Sequence, residues 1–461
     1  MRKIILFNVV LMTLIYAQKF EKINSLENDL KINFSSLEIE ESKENLVKGN
    51  NIPIISTFYQ ISNTTSINVE YEISNIDVNK NVELSVNGLV DQTGVQLDQD
   101  GNFPASNLII SDPMIFRGIP VVKVSFIPFK YNDEQNELEI YNDINFQINE
   151  INQNINLDYV EVKLSKAFEP LYSDMIVNYE PSSREEDYQK PSILYICGGS
   201  SIDHPFVQDL LEWRHKTGYI VTAVTTSQTG GSGSSSVKNY LENAYETWEN
   251  PPEIVGLIGD TGGSYQIGYF SESWSGYGGA GDFPYCQLDG NDLLPEVFIG
   301  RISVNSSSEL SNVLNKTLAY EKATYINQTG TSWYERAALA GDPSASGVST
   351  IITNMYLNDM MDEYGVENVS TEYQNGWANF MENKLNEGTL FLNYRGFIGV
   401  SGFGGSNINN ANNGYMLPFA TVLTCGTGNY SNSEALSEDF FEAGSGNNPK
   451  GAIASVGTAT S

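Results

Sequence analysis

SILYIC at 192–197 is an unbroken apolar run ending in Gly198-Gly199-Ser200, and PFVQDLLEWRHKTGY at 205–219 then spaces Phe206, Leu210, Leu211 and Trp213 at helical intervals before Gly218. The first reads as a buried strand and the second as a helix stopped by glycine. Ile220–Thr225 is a further strand, Ser236–Trp248 a helix, and Glu253–Gly259 a strand that ends at Asp260, with the Gly/Ser run Thr229–Ser235 as a mobile loop between. A second series continues the pattern: strand Val297–Val304, helix Ser308–Tyr325, strand Arg336–Ala340, helices Val348–Tyr364 and Trp377–Asn386, then strands Thr389–Tyr394, Ala420–Thr424 and Gly451–Val456. Strands that alternate with helices predict an α/β fold with a mainly parallel sheet and flanking helices, and they direct the search for function to the carboxyl ends of the strands. The chain stops at Ser461 just after a strand pattern, which reads as the end of a fragment.

Upstream the pattern is different. SINVEYEI (Ser66–Ile73), Val82–Leu89, Val121–Ile127, Leu138–Tyr141, Ile144–Ile148 and Tyr159–Leu164 are short bursts separated by Asn, Asp and Gly. They predict an all-β antiparallel sandwich over 18–185. The charged stretch Tyr179–Pro191 has two prolines and no periodicity, so it reads as a connection, with 186–191 as the linker to an α/β domain at 192–461. Residues 1–17 begin with Arg2 and Lys3, continue through the largely apolar Ile4–Tyr16 and reach Ala17, the pattern of a cleaved export signal. That run is shorter than the roughly 20 apolar residues a membrane span needs, and no other run reaches that length.

With 461 residues there is room for more than one core at roughly 100–200 residues per domain. The 25 basic and 57 acidic residues give a formal charge of −32, and a surface so acidic repels phosphate backbones, which argues against nucleic acid as a partner. Apolar residues at 40% against 18% charged exclude a disordered chain.

Three cysteines, Cys197, Cys286 and Cys425, cannot all pair within one chain. Cys425 follows the apolar run FATVLT (Phe419–Thr424) and precedes Gly426-Thr427-Gly428. A thiol at that strand end has small neighbours that leave space for a substrate and free backbone N–H groups for an oxyanion, as acyl transfer to sulfur requires. A buried, inert cysteine is the competing reading, and it suits Cys197 better; Cys286, in FPYCQLDG, reads as a loop residue. A thiol nucleophile needs a base, and only two histidines are available. His215 sits between Arg214 and Lys216 on the polar side of a helix, and His204 opens a helix just before Pro205. Asp342, after the strand Arg336–Ala340, either orients a base or caps the helix that follows. Asn393-Tyr394-Arg395-Gly396-Phe397 leads from a strand into the Gly-rich run Gly399–Gly405, either a source of backbone donors or a simple turn.

Taken in order, EVFIGRIS (Glu296–Ser303), Ala319-Tyr320-Glu321-Lys322, Asn393-Tyr394-Arg395-Gly396, Thr424-Cys425, Ser433-Glu434-Ala435-Leu436 and Pro449-Lys450-Gly451-Ala452-Ile453-Ala454 resemble the gingipain family of secreted cysteine peptidases, over roughly Ile193 to Ser461. The resemblance implies a caspase-like α/β catalytic domain acting on protein or peptide substrates, with no cofactor required. It implies that the strand-rich segment before residue 185, including Ile119–Tyr131 and Leu138–Ile148, is a pro-domain that delays activity. It makes Cys425 the nucleophile, Asp342 the acid that orients the base, and backbone N–H groups around Gly396, Gly399 and Gly426 the oxyanion donors. At the family's histidine position this chain has Phe397, which accepts no proton. The base then lies beyond Ser461, or is His204, or the chain is an inactive relative that binds peptides at the cell surface or in the medium. The stretch Gly347-Val348-Ser349-Thr350 carries no carboxylate where arginine-cleaving members have one, so tryptic preference is not implied. Because family members bind calcium, Asp282, Asp289 and Asp292 are candidate ligands for a structural ion.

Overall fold

The computed structural model describes residues 21–22, 29–33, 54–63, 65–152, 157–274, 277–290, 292–431 and 435–460. The export signal expected at 1–17 lies outside the described residues, as do Ser433 and Glu434 of the motif set. The chain forms two compact units: one runs to Gln189 and includes Asp289–Leu294, the other comprises Lys190–Leu288 and Pro295–Ser461. None of the helices among the described residues is long and apolar enough to cross a membrane.

The first unit is the expected antiparallel sandwich. Ile55–Gln60, Leu108–Ile110 and Met114–Phe116 pair with Ile119–Phe126 in one sheet. The other is organised around Glu137–Asn152, which runs antiparallel to Thr65–Lys80, Phe129–Asn132 and Asp29–Asn33. Leu138–Tyr141 and Ile144–Ile148 are therefore parts of one long strand, with a register shift at Tyr141/Asp143. The two sheets share a core of Ile55, Tyr59, Val122, Val124 and Phe126 from one and Ile67, Val69, Ile144, Phe146 and Ile148 from the other. Alternate side chains of each strand point to this interior.

Two expectations in this unit are corrected. Val82–Leu89 is not a strand: Ser85 caps a helix over Val86–Thr93 by accepting the Gly88 N–H, and Gly94 closes it at φ +70. Local capping wins over the β-branched composition because Val82, Leu84 and Leu89 all still reach a core with Phe103 and Phe129. Tyr159–Leu164 joins no sheet; the Val160 N–H is held at 2.8 Å by the Asp289 carboxylate, and Leu164 makes only an isolated bridge to Tyr188. The boundary between the units falls within 186–191, where Tyr188 and Gln189 are buried and Gln189 accepts from Arg117 at 3.0 Å.

The second unit contains two parallel sheets in place of the single one expected. Ile220–Thr225, Ser192–Cys197, Ile254–Ile258 and Phe298–Ile302 form the first, in that order. Asn368–Glu372, Arg336–Gly341, Phe391–Arg395, Phe419–Leu423 and Ala454–Gly457 form the second. Ser306 caps the Ser307–Glu321 helix by accepting the Glu309 N–H, and this helix ties the sheets together. Its Asn312 donates to Ala443 O at 3.3 Å, and its Lys316, 1% exposed, donates to the carbonyls of Phe441, Ala443 and Lys450 around the end of the Leu436–Glu442 helix.

Burial pushes the Lys316 pKa down to about 7, while the Glu442 charge opposes the shift. Between that value and its ordinary one the unfolded chain binds more protons at Lys316 than the folded chain, so stability rises with pH across this window and the cost of the buried charge is complete below it. The stability of wild type relative to Lys316→Met is therefore expected to rise by on the order of 1 kcal/mol per pH unit from pH ~7 to ~10, measured by urea denaturation. A pH-independent difference would show that the three carbonyls keep the ammonium charged throughout.

Candidate active site

Arg336–Gly341, Phe391–Arg395 and Phe419–Leu423 are neighbours in the second sheet and run in the same direction, so Asp342, the Gly396–Gly399 turn and Cys425 emerge at one edge. Backbone bonds fasten them: the Asp342 N–H donates to Arg395 O at 2.9 Å, and the Gly399 N–H to Cys425 O at 3.3 Å. The chain turns away after Cys425 because Gly426 adopts φ +76, a conformation that favours glycine. Thr427 braces the turn, its hydroxyl donating to Val422 O at 2.7 Å and Thr424 O at 2.8 Å.

Cys425 is free and half-buried. Its own N–H has no acceptor among the described residues, whereas those of two expected oxyanion donors are taken: Gly399 bonds Cys425 O, and Gly426 bonds Thr460 O at 3.0 Å. The sequence shows where glycines lie but not which of their N–H groups are already used. Gly396 has a different job, since a Cβ there would sit 2.4 Å from the Tyr394 hydroxyl. Tyr394 is itself buried, and burial, then the Asp342 charge, pushes its pKa up to about 12.

Asp342 caps the short Pro343–Ser346 helix, its carboxylate accepting the Ser344 N–H at 2.8 Å. Phe397 is 54% exposed and Ile398 is 65% exposed, and Ile398 is held at φ +47, an uncommon conformation for a β-branched residue. No imidazole takes their place. His204 uses Nδ1 to cap the Pro205–Lys216 helix and puts Nε2 3.0 Å from the Ser311 hydroxyl, and His215 is exposed. Two participants escaped the sequence reading. Trp377 donates from Nε1 to Gly341 O at 3.0 Å, and the Arg395 side chain donates to Leu423 O at 2.8 Å. An arginine closing the strand Phe391–Arg395 was the available signal for the second.

Residues 186–461 match Peptidase family C25 and residues 12–185 match its propeptide. The chain belongs to peptidase family C25. Among the relatives of this C25 chain, gingipain R1 of Porphyromonas gingivalis is 25% identical over 434 residues, covering 88% of this chain and 42% of that protein. Gingipain R2 of the same organism is 25% identical over 437 residues, covering 88% and 57%. The chain thus spans about half the length of these curated relatives. The crystal structure of the Arg-specific cysteine proteinase gingipain R superposes with a TM-score of 0.50 at 23% identity, over 60% of this chain and 64% of that one, a likeness of fold.

Among the described residues, no group of three or more His, Cys, Asp or Glu side chains is placed to hold a metal ion, and the three acidic candidates are engaged by other partners. Asp282 is committed to Arg301 at 2.7 Å, Asp289 accepts the Val160 and Gly290 N–H groups, and Asp292 accepts those of Ile115 and Leu294. Each carboxylate is held by its own partners, whereas a hard cation needs about 6–8 converging oxygens.

Burial distinguishes the thiols. It pushes Cys197 and Cys286 up to about 12, leaving a minute thiolate fraction near neutrality, while Cys425 has solvent access. In the native protein iodoacetamide is expected to alkylate Cys425 at least ~10²-fold faster than either buried thiol, read by peptide mass spectrometry over time. Equal rates at the three would remove the special standing of Cys425.

Proposed function

We propose that this chain is a secreted cysteine endopeptidase in which the Cys425 thiolate attacks the carbonyl of a peptide bond. The carrying observation is the half-buried Cys425 at the carboxyl end of a central strand, with its own N–H unpaired and the Gly396–Gly399 turn bonded to its carbonyl. That N–H supplies an oxyanion donor, with Asp342 stationed at the same edge. The acyl group passes to sulfur as the amine leaves, and water then releases it. Phe397 accepts no proton and His204 is engaged by the Pro205–Lys216 helix and Ser311, so the proposal rests on the thiol and leaves its base unassigned. Phe397 supports a second reading, a peptide-binding relative without turnover. The test is a mixed peptide library incubated with the full-length reading frame and with its Cys425→Ala variant. Cleavage by the first alone supports the enzyme; equal cleavage by both removes Cys425 from the mechanism; retained peptide binding with no cleavage by either selects the second reading.

A further inference from the structure

We propose that Arg395 forms a carboxylate-binding subsite beside Cys425, so that the preferred substrates are peptides with Asp or Glu as the residue whose carbonyl is attacked. The inference rests on the reading of Cys425 as the nucleophile and gives that site its substrate class.

Arg395 ends the Phe391–Arg395 strand and lies in register with Leu423, two residues before Cys425. Its Nη1 donates to Leu423 O at 2.8 Å and to Gly396 O at 3.1 Å, which fixes the guanidinium against the strand that delivers the cysteine. Nε and Nη2 have no acceptor among the described residues, and the half-buried side chain has no ion pair there. Those two atoms form one edge of the guanidinium fork, a pair of parallel donors whose spacing matches the two oxygens of a carboxylate.

Three other arginines are paired with acids, whereas Arg336 keeps a buried Nε without an acceptor. Arg301 engages all its donors and Asp282, Arg214 is paired with Glu321, and Arg184 with Glu186. In a chain with 57 carboxylates and 25 cations, acidic partners are abundant. The acid at the same edge, Asp342, is instead turned to Ser344, and Gly347–Thr350 carries none. The side chain leaves the sheet on the face of Asn393, which bonds Asn354 of the Ser349–Glu363 helix, opposite the face where Leu392 and Tyr394 join the core. A partly desolvated guanidinium with an open bidentate edge binds a carboxylate far better than the isosteric amide.

The test uses the full chain and peptides that differ only in Asp, Asn, Glu, Gln or Ala at one internal position, each with free or amidated C-terminus. Wild type is expected to favour Asp or Glu over its amide about 100-fold in kcat/KM, and Arg395→Gln to reduce this ratio to less than ~5-fold. A binding arm separates this inference from the nucleophile assignment: fluorescence anisotropy of the same peptides on Cys425→Ala, with and without Arg395→Gln. Arg395-dependent binding of acidic peptides together with no cleavage by wild type sustains the subsite and defeats the peptidase reading. Cleavage without acidic preference overturns the subsite and leaves the peptidase. Preference that follows the free C-terminus instead of the internal acid overturns the proposed side-chain specificity and assigns the carboxylate site to chain ends.

Discussion

Alanine at Cys425 is expected to lower peptide cleavage by about 10⁴-fold or more, to the level of an unassisted background, because a methyl group can form no acyl intermediate. The substitution removes one sulfur from a half-buried site whose turn is held by backbone and Thr427 bonds, so folding should survive: the denaturation midpoint should match wild type. The control is Phe397→Ala. A phenyl ring accepts no proton, and an exposed one contributes little packing, so cleavage should stay within about tenfold of wild type. The pair separates two sources of loss, since a site that works without a neighbouring base retains activity about 10²–10⁴ lower than one that has it, yet still depends wholly on sulfur. Cleavage by Cys425→Ala at the wild-type rate would transfer the chemistry elsewhere in the molecule.

The parallel strands were legible because a strand covered on both faces must be apolar along its whole length. Ser192–Cys197, buried at every position, falls where the sequence places it, as does the part-exposed edge strand Ile220–Thr225. Asn368–Glu372 (NVSTE) was not legible, being a polar edge strand whose pairing with Arg336–Gly341 is made by backbone. Alternation of strand and helix also says nothing about partition. The order of elements was readable, but their division between two sheets depends on the cross-links of Asn312 and Lys316, in a helix that reads as ordinarily amphipathic.

The site shows the same division. Asp342, Gly396–Gly399 and Cys425 converge because each follows a parallel strand of one sheet, and the strand-end rule applies to each independently. Hydrogen-bond bookkeeping is a tertiary property. Whether Gly426 has its N–H free depends on Thr460, and whether Asp282 is free for a cation depends on Arg301, in each case a residue distant in sequence.

Arg301 is the second position where a large loss is expected. It lies within the apolar strand Phe298–Ile302, with its side chain 6% exposed. All its donors are used: Nε and Nη2 grip the Asp282 carboxylate at 2.7 Å each, Nη1 reaches Gly259 O and Ile267 O, and Nη2 also reaches Gly268 O. The guanidinium lies 5.2 Å from the centre of the Tyr430 ring, five residues past Cys425. Arg301→Met leaves the Asp282 carboxylate without its counter-charge and three carbonyls without their donor, so a loss of about 3–5 kcal/mol is expected, read as a lower urea midpoint of this unit. Lysine should recover little, because a single ammonium cannot reproduce the planar fork. Arg301→Met combined with Asp282→Asn should recover part of the loss, since the uncompensated charge is gone and only hydrogen bonds remain unmade. If Arg301→Met alone unfolds at the wild-type midpoint, the pair contributes nothing net and some other contact holds Tyr430 and the turn after Cys425 in place.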